Sequence, residues 1–208
     1  MSINKIRKLS NLKSCQWNKK SLKYVDLSQH KLLDKKQALE DLTIIKKVFD
    51  KNEVNFWLVG GTLLGVIRDD DFISIDDDID VAVYEEEFLL KFNELKEDFM
   101  LEGFIFRNVK KALGTKINLY RFDVFNTQKS SIDGLVLKNK YRYSRTKRYP
   151  KKYFEKYGTI DFKGISFRVP SPPEKYLSTI YIDWRTPVKS KANEKKWRNR
   201  KIFWNGKL

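Results

Sequence analysis

The sequence predicts a single α+β domain, a β-sheet flanked by helices. Three observations carry this. Ala38, Leu42, Ile45 and Phe49 recur at helical spacing. The short apolar run Phe56-Trp57-Leu58-Val59 stops at Gly60-Gly61, as a buried strand entering a tight turn does. The segment from Ile73 to Tyr84 is rich in β-branched residues and carries a run of aspartates. The chain's 208 residues suffice for one full-sized core, and 41% hydrophobic with 14% aromatic content fits a folded protein.

In order along the chain, residues 1–30 form a basic arm with little periodicity. One folded domain is expected over 31–187 and a basic tail over 188–208. The first helix follows Lys31. Phe56–Val59 is a strand, and Thr62 is placed to cap a helix running through Leu63, Leu64, Val66 and Ile67. Ile73–Tyr84 is the second strand. Glu85–Met100 is an amphipathic helix with Phe88, Phe92, Leu95 and Phe99 on one face, ended by Gly103. Phe104–Val109 and Lys116–Asn126 follow as strands. Lys138–Lys156 is basic and tyrosine-rich, with nine Lys/Arg and one acid. Asp161–Val169 forms a hairpin turning at Lys163-Gly164. Pro172-Pro173 opens a last helix through Tyr176, Leu177, Ile180 and Tyr181.

Composition excludes several functions. No apolar stretch approaches the roughly 18 residues a membrane span needs, and the first 30 residues lack the apolar core of a secretory signal. A single cysteine, Cys15, and a single histidine, His30, exclude an internal disulfide and cysteine-based zinc and argue against histidine-held metals. A cytoplasmic location is expected. The net charge of +16 attracts phosphates and anionic surfaces, so peripheral attachment at the inner face of a membrane is a further expectation. No specific nucleic-acid partner is predicted.

The chemistry points to Asp76-Asp77-Asp78-Ile79-Asp80. On a continuous strand Asp76, Asp78 and Asp80 share one face, about 7 Å apart at every second residue, and Asp77 joins the apolar Ile79, Val81 and Val83. Stacked carboxylates repel unless a cation neutralises them, and hard divalent ions such as Mg²⁺ or Mn²⁺ prefer carboxylate oxygens. Asp123 lies among apolar strand neighbours and is the natural third carboxylate. Gly60, Gly61 and Thr62 permit close backbone approach and offer a helix N-terminus to a phosphate. Arg68 and Lys116 are candidates for stabilising phosphate charge. Tyr141, Tyr143, Tyr149, Tyr153 and Tyr157 either stack on a nucleotide or serve as ordinary strand aromatics.

Leu58 to Arg68 followed by Phe72 to Val81 resembles the LicD family, within the DNA-polymerase-beta-like nucleotidyltransferase superfamily. Ser74-Ile75 stands where the family carries Pro-Trp, and Asp69-Asp70-Asp71 where it often carries glycine. Lys116-Ile117, Asp123-Val124-Phe125 and the stretch from Pro173 to Pro187 resemble later family segments. The resemblance spans roughly Asn55 to Pro187. It implies a nucleotidyltransferase-like mixed sheet, a CDP-linked donor such as CDP-choline, and a hydroxyl acceptor on a cell-surface glycan such as lipopolysaccharide or teichoic acid. Asp78 and Asp80 would then hold metal, with Asp123 as third ligand or base. Two other readings stand beside it. One is a nucleotidyltransferase moving NMP from an NTP to a small molecule or protein. The other is a non-catalytic basic module that binds polyanions.

Overall fold

A computed structural model describes residues 32–109, 116–121, 129–144 and 147–188. The predicted basic arms fall outside them, save Val188. Helix α1 (Lys35–Lys51) is capped by Asp34, whose side chain accepts the Gln37 N–H. Strand β1 (Phe56–Leu58) leads into α2 (Gly60–Asp69), and β2 spans Asp78–Tyr84. Helices α3 (Glu85–Leu90) and α4 (Phe92–Leu101) precede β3 (Phe104–Val109), β4 (Lys116–Arg121) and β5 (Lys129–Lys138). Then come β6 (Tyr141–Ser144), β7 (Lys147–Pro150), the single turn α5 (Lys152–Glu155), the hairpin β8 (Tyr157–Phe162) and β9 (Ile165–Pro170), and α6 (Pro173–Ile180).

The main sheet runs β1-β2-β5-β4-β3, with β6 and β7 extending from β5. It is mixed, as expected: β2 and β5 are parallel, and the other pairings are antiparallel. The parallel pair requires a crossover, which α3, α4, β3 and β4 supply.

One face of the sheet is apolar. Ile79, Val81 and Val83 of β2 line up with Ile132 of β5 and with Ile117 and Leu119 of β4, all buried. Phe49 of α1 stacks on Phe56 and meets Phe99 of α4 edge-on. The β8–β9 hairpin joins this core through Phe167 against Phe56 and Phe162 against Phe72. Its turn is as predicted, with Lys163 and Gly164 both at positive φ (52° and 78°).

Four expectations need correction. The strand predicted from Ile73 begins at Asp78, because Ser74 and Ile75 form a turn closed by the Asp76 N–H donating to the Ile73 carbonyl. The predicted helix Glu85–Met100 is two helices broken at Lys91, and the second extends to Leu101. Thr62 caps nothing: α2 starts at Gly60, with Val59 as its N-cap residue. Strand β5 was not anticipated at all. Among the described residues no helix is long and apolar enough to cross a membrane.

Candidate active site

Cross-strand partners project to the same side of a sheet, so register fixes what meets on the second, polar face. Asp78 stands beside Lys129, which stands beside Tyr120. Asp80 stands beside Ser131, then Asn118. Ala82 stands beside Asp133, then Lys116. Three strands thus present three rows of side chains, all polar except Ala82.

Hydrogen bonds link the rows. Lys129 Nζ lies 2.8 Å from Asp78 Oδ2, and Ser131 Oγ donates to the same oxygen at 3.0 Å. Burial works against the charge on Lys129, but Asp78, followed by Asp77 and Asp80, raises its pKa overall. Lys116 Nζ is 3.9 Å from Asp133 Oδ1, a buried atom with no hydrogen-bond partner among the described residues. The buried Tyr176 of α6 has its hydroxyl pKa raised by burial, then by Tyr149, Tyr181, Asp133 and Asp80.

The two glycines are explained by carboxylates. A Cβ at Gly60 would sit 2.3 Å from Asp80 Oδ2, and Gly60 has φ +57°. A Cβ at Gly61 would sit 1.9 Å from Asp76 Oδ2. Neither position accepts a side chain while the carboxylates stay in place. The Gly61 N–H donates to Asp80 Oδ2 at 3.3 Å, and the buried Thr62 hydroxyl accepts the Asp80 backbone N–H at 2.8 Å. Strand β2 is thereby pinned to the first turn of α2. The carboxyl of Asp80 is pushed up to about 7, first by burial and then by the charge of Asp78, with Lys116 opposing.

Because Asp76 and Asp77 lie before the strand, strict alternation does not govern them. Asp77, expected on the apolar face, instead joins Asp76 and Asp78, whose carboxylate oxygens gather within 4.8 Å of one another. Asp80 lies one step further along, against the glycines. The donor set fits a hard divalent ion: all oxygen, all carboxylate, partly exposed. Arg68 forms a bidentate pair with Asp69, at 2.7 Å from both Nε and Nη2, so its charge is already engaged. It still lines a small cavity with Asp76. Asp123 lies outside the described residues. Of the tyrosines, Tyr143, Tyr149 and Tyr153 are buried, Tyr149 and Tyr153 packed on Tyr176. Tyr141 lies under the Arg148 guanidinium and the exposed Tyr157 under that of Arg168.

Sequence reasoning missed Lys129, Ser131 and Asp133. The available signal was the alternation Lys129, Ser131, Asp133 against Ser130, Ile132, Gly134, which has the strand period.

Comparison with known proteins adds the following. Residues 53–172 match the family described as LicD/FKTN/FKRP, nucleotidyltransferase domain. The uncharacterized protein RP689 of Rickettsia prowazekii is 28% identical over 180 residues, 77% of this chain and 62% of that protein. The uncharacterized protein RT0683 of Rickettsia typhi is 24% identical over 175 residues, 81% of this chain and 54% of that protein. The chain therefore spans about three fifths of the length of the curated relatives it matches. Among solved structures, the antibiotic-resistance factor ANT(2'')-Ia in solution has a TM-score of 0.43 at 16% identity, covering 64% of this chain and 66% of that one. The same factor with adenylyl-2''-tobramycin gives 0.43 at 15%, covering 65% and 70%.

Proposed function

Since the chain belongs to the LicD/FKTN/FKRP family, we propose that it transfers a phospho-alcohol group, phosphocholine-like, from a CDP-activated donor to a hydroxyl of a cell-surface glycan. The observation that supports this most is the carboxylate array of Asp76, Asp77, Asp78 and Asp80, folded against Gly60 and Gly61 at a helix N-terminus.

In this reading carboxylates drawn from Asp76, Asp77, Asp78 and Asp80 would hold Mg²⁺ or Mn²⁺, with Asp123 as the third acidic position of the family pattern. The ion supplies charge neutralisation at the donor's phosphate oxygens. The N-terminal turn of α2 at Gly60-Gly61-Thr62 faces the donor phosphates. The acceptor hydroxyl attacks the phosphorus distal to the nucleoside and gives its proton to Asp123. The new bond joins the acceptor oxygen to that phosphorus. The bond from phosphorus to the bridging oxygen breaks, and CMP leaves. Lys116 adds positive charge on the same face, and its field already opposes the rise in the Asp80 pKa. The excess of 43 Lys/Arg over 27 Asp/Glu in the sequence suits peripheral attachment to an anionic membrane.

A second reading rests on the family's description as a nucleotidyltransferase domain. The same carboxylates would then direct attack at an α-phosphorus, with pyrophosphate leaving. Incubation with Mg²⁺ or Mn²⁺ and panels of CDP-alcohols and NTPs, in the presence of glycan acceptors, separates the two. CMP release that disappears in Asp80→Ala is the expected result. Pyrophosphate release from one NTP selects the second reading. Full activity in Asp80→Ala refutes both.

A further inference from the structure

The cations at this site are not equivalent. Arg68 is tied to Asp69 through two 2.7 Å contacts, and Lys116 faces Asp133 at 3.9 Å. Lys129 is different because its partner is itself a proposed metal ligand. It opens β5 directly opposite Asp78 in parallel register, and its Nζ reaches Asp78 Oδ2 at 2.8 Å. Ser131 Oγ donates to that same oxygen at 3.0 Å. The side chains of Lys129 and Asp78 are largely sheltered, 30% and 15% exposed, so solvent screens the pair only partly.

A divalent ion among Asp76, Asp77 and Asp78 needs the carboxylate that Lys129 holds. An ammonium and a divalent cation repel each other at such range, so the two compete for Asp78. A lysine displaced from Asp78 stays on the polar face, anchored by the backbone of β5, within reach of an anion bound beside the cluster. An ammonium there is a compact point-charge ligand for phosphate oxygens.

We propose that Lys129 is a donor-phosphate ligand that shares Asp78 with the divalent ion, holding the carboxylate when no ion is bound and contacting phosphate when one is. This deepens the transferase reading above and rests on it.

The test uses the full chain, Mn²⁺ alone as one probe and inorganic pyrophosphate with Mg²⁺ as the other. Mn²⁺ uptake is followed by loss of the free-ion paramagnetic signal, and pyrophosphate by calorimetry. Lys129→Met is expected to bind Mn²⁺ about tenfold more tightly and pyrophosphate about tenfold more weakly, the scale of one charge in a partly sheltered site. Lys129→Arg should restore pyrophosphate binding. Lys129→Gln carries the same expectations as Met and replaces it if circular dichroism shows the Met variant unfolded. Unchanged or weaker Mn²⁺ binding in the neutral variant overturns the assignment, as does unchanged pyrophosphate binding. Wild-type protein that binds both probes, alongside a variant that matches it, removes Lys129 alone. Wild-type protein that binds neither removes the transferase reading and this one together.

Discussion

Replacing Gly61 with alanine tests whether that glycine serves the carboxylates or merely the turn. Gly61 lies in helix α2 and is absent from the positive-φ positions, so its backbone accepts alanine without strain. Helix propensity favours the change by about 1 kcal/mol. Against this, the new Cβ would lie 1.9 Å from Asp76 Oδ2, where contacts below 3.0 Å are essentially never found. The carboxylate must retreat by about 1 Å, and overpacking of this kind costs about 1–3 kcal/mol. Asp76 has little freedom, since its Oδ1 accepts the Asp77 N–H at 3.0 Å and its carbonyl accepts the Leu33 N–H at 2.9 Å. Turning the side chain shifts the Asp76 carboxylate relative to those of Asp77 and Asp78, with which it is clustered. The net stability loss should stay within about 2 kcal/mol, a melting shift of about 4–8 °C for a chain of this size. Mn²⁺ affinity should fall about tenfold or more, because one of the gathered oxygens is displaced. Thermal melts and Mn²⁺ titration of the same preparation decide it. Wild-type Mn²⁺ affinity in Gly61→Ala would refute the reasoning, and so would a collapse of the melt well beyond that range.

The other predictions address the supports of the site. The Asp80 carboxyl titrates near 7 in the folded chain and near 3.9 unfolded, so between about pH 4 and 7 the folded state holds a proton that the unfolded state has released. Asp80 therefore lowers metal-free stability as pH rises through that window and adds no further slope above it; Asp80→Asn should flatten this part of the profile in denaturant titrations. Thr62→Val keeps the shape but leaves the Asp80 N–H without its acceptor, and should cost about 1–3 kcal/mol in urea unfolding. Arg121 donates to the fully buried Asp41, whose pKa is raised by burial and held back by that arginine. Arg121→Met should cost about 3–5 kcal/mol, and Asp41→Leu with Arg121→Met should recover most of it.

The sequence made the β1–α2–β2 unit legible because its signals are local. An apolar run, two glycines and a β-branched strand each identify themselves within a few residues. The start of β2 was misplaced because the aspartates at 76, 78 and 80 have the strand period, although the turn at Ser74-Ile75 forces Asp76 and Asp77 out of the sheet. Strand β5 was invisible for a related reason. Its outward row is Lys129, Ser131 and Asp133, and Gly134 interrupts its inward row, so apolar content fell below what a half-buried strand usually shows. A strand that carries a site on one face loses the hydrophobicity by which strands are recognised. The family pattern was legible in Gly60-Gly61 and Asp78-Ile79-Asp80, and the structure supplies the physical reason for both glycines. The cation facing Asp78 could not be read, because only the parallel register brings Lys129 to it.

The crossover between β2 and β5 also has a temporal meaning. The three clustered acids and Asp80 belong to one contiguous stretch, Asp76 to Asp80, whereas the Lys129 and Ser131 donors to Asp78 arrive from far along the chain; the Ser131–Asp78 contact spans 53 positions. A chain emerging from the ribosome exposes the whole anionic half of the site before any of β5 exists. Contacts of such range are made late, since loop closure must precede them. Until β5 docks, Asp78 lacks both the Lys129 ammonium and the Ser131 hydroxyl. Completion of the charge balance thus reports that the central sheet has closed.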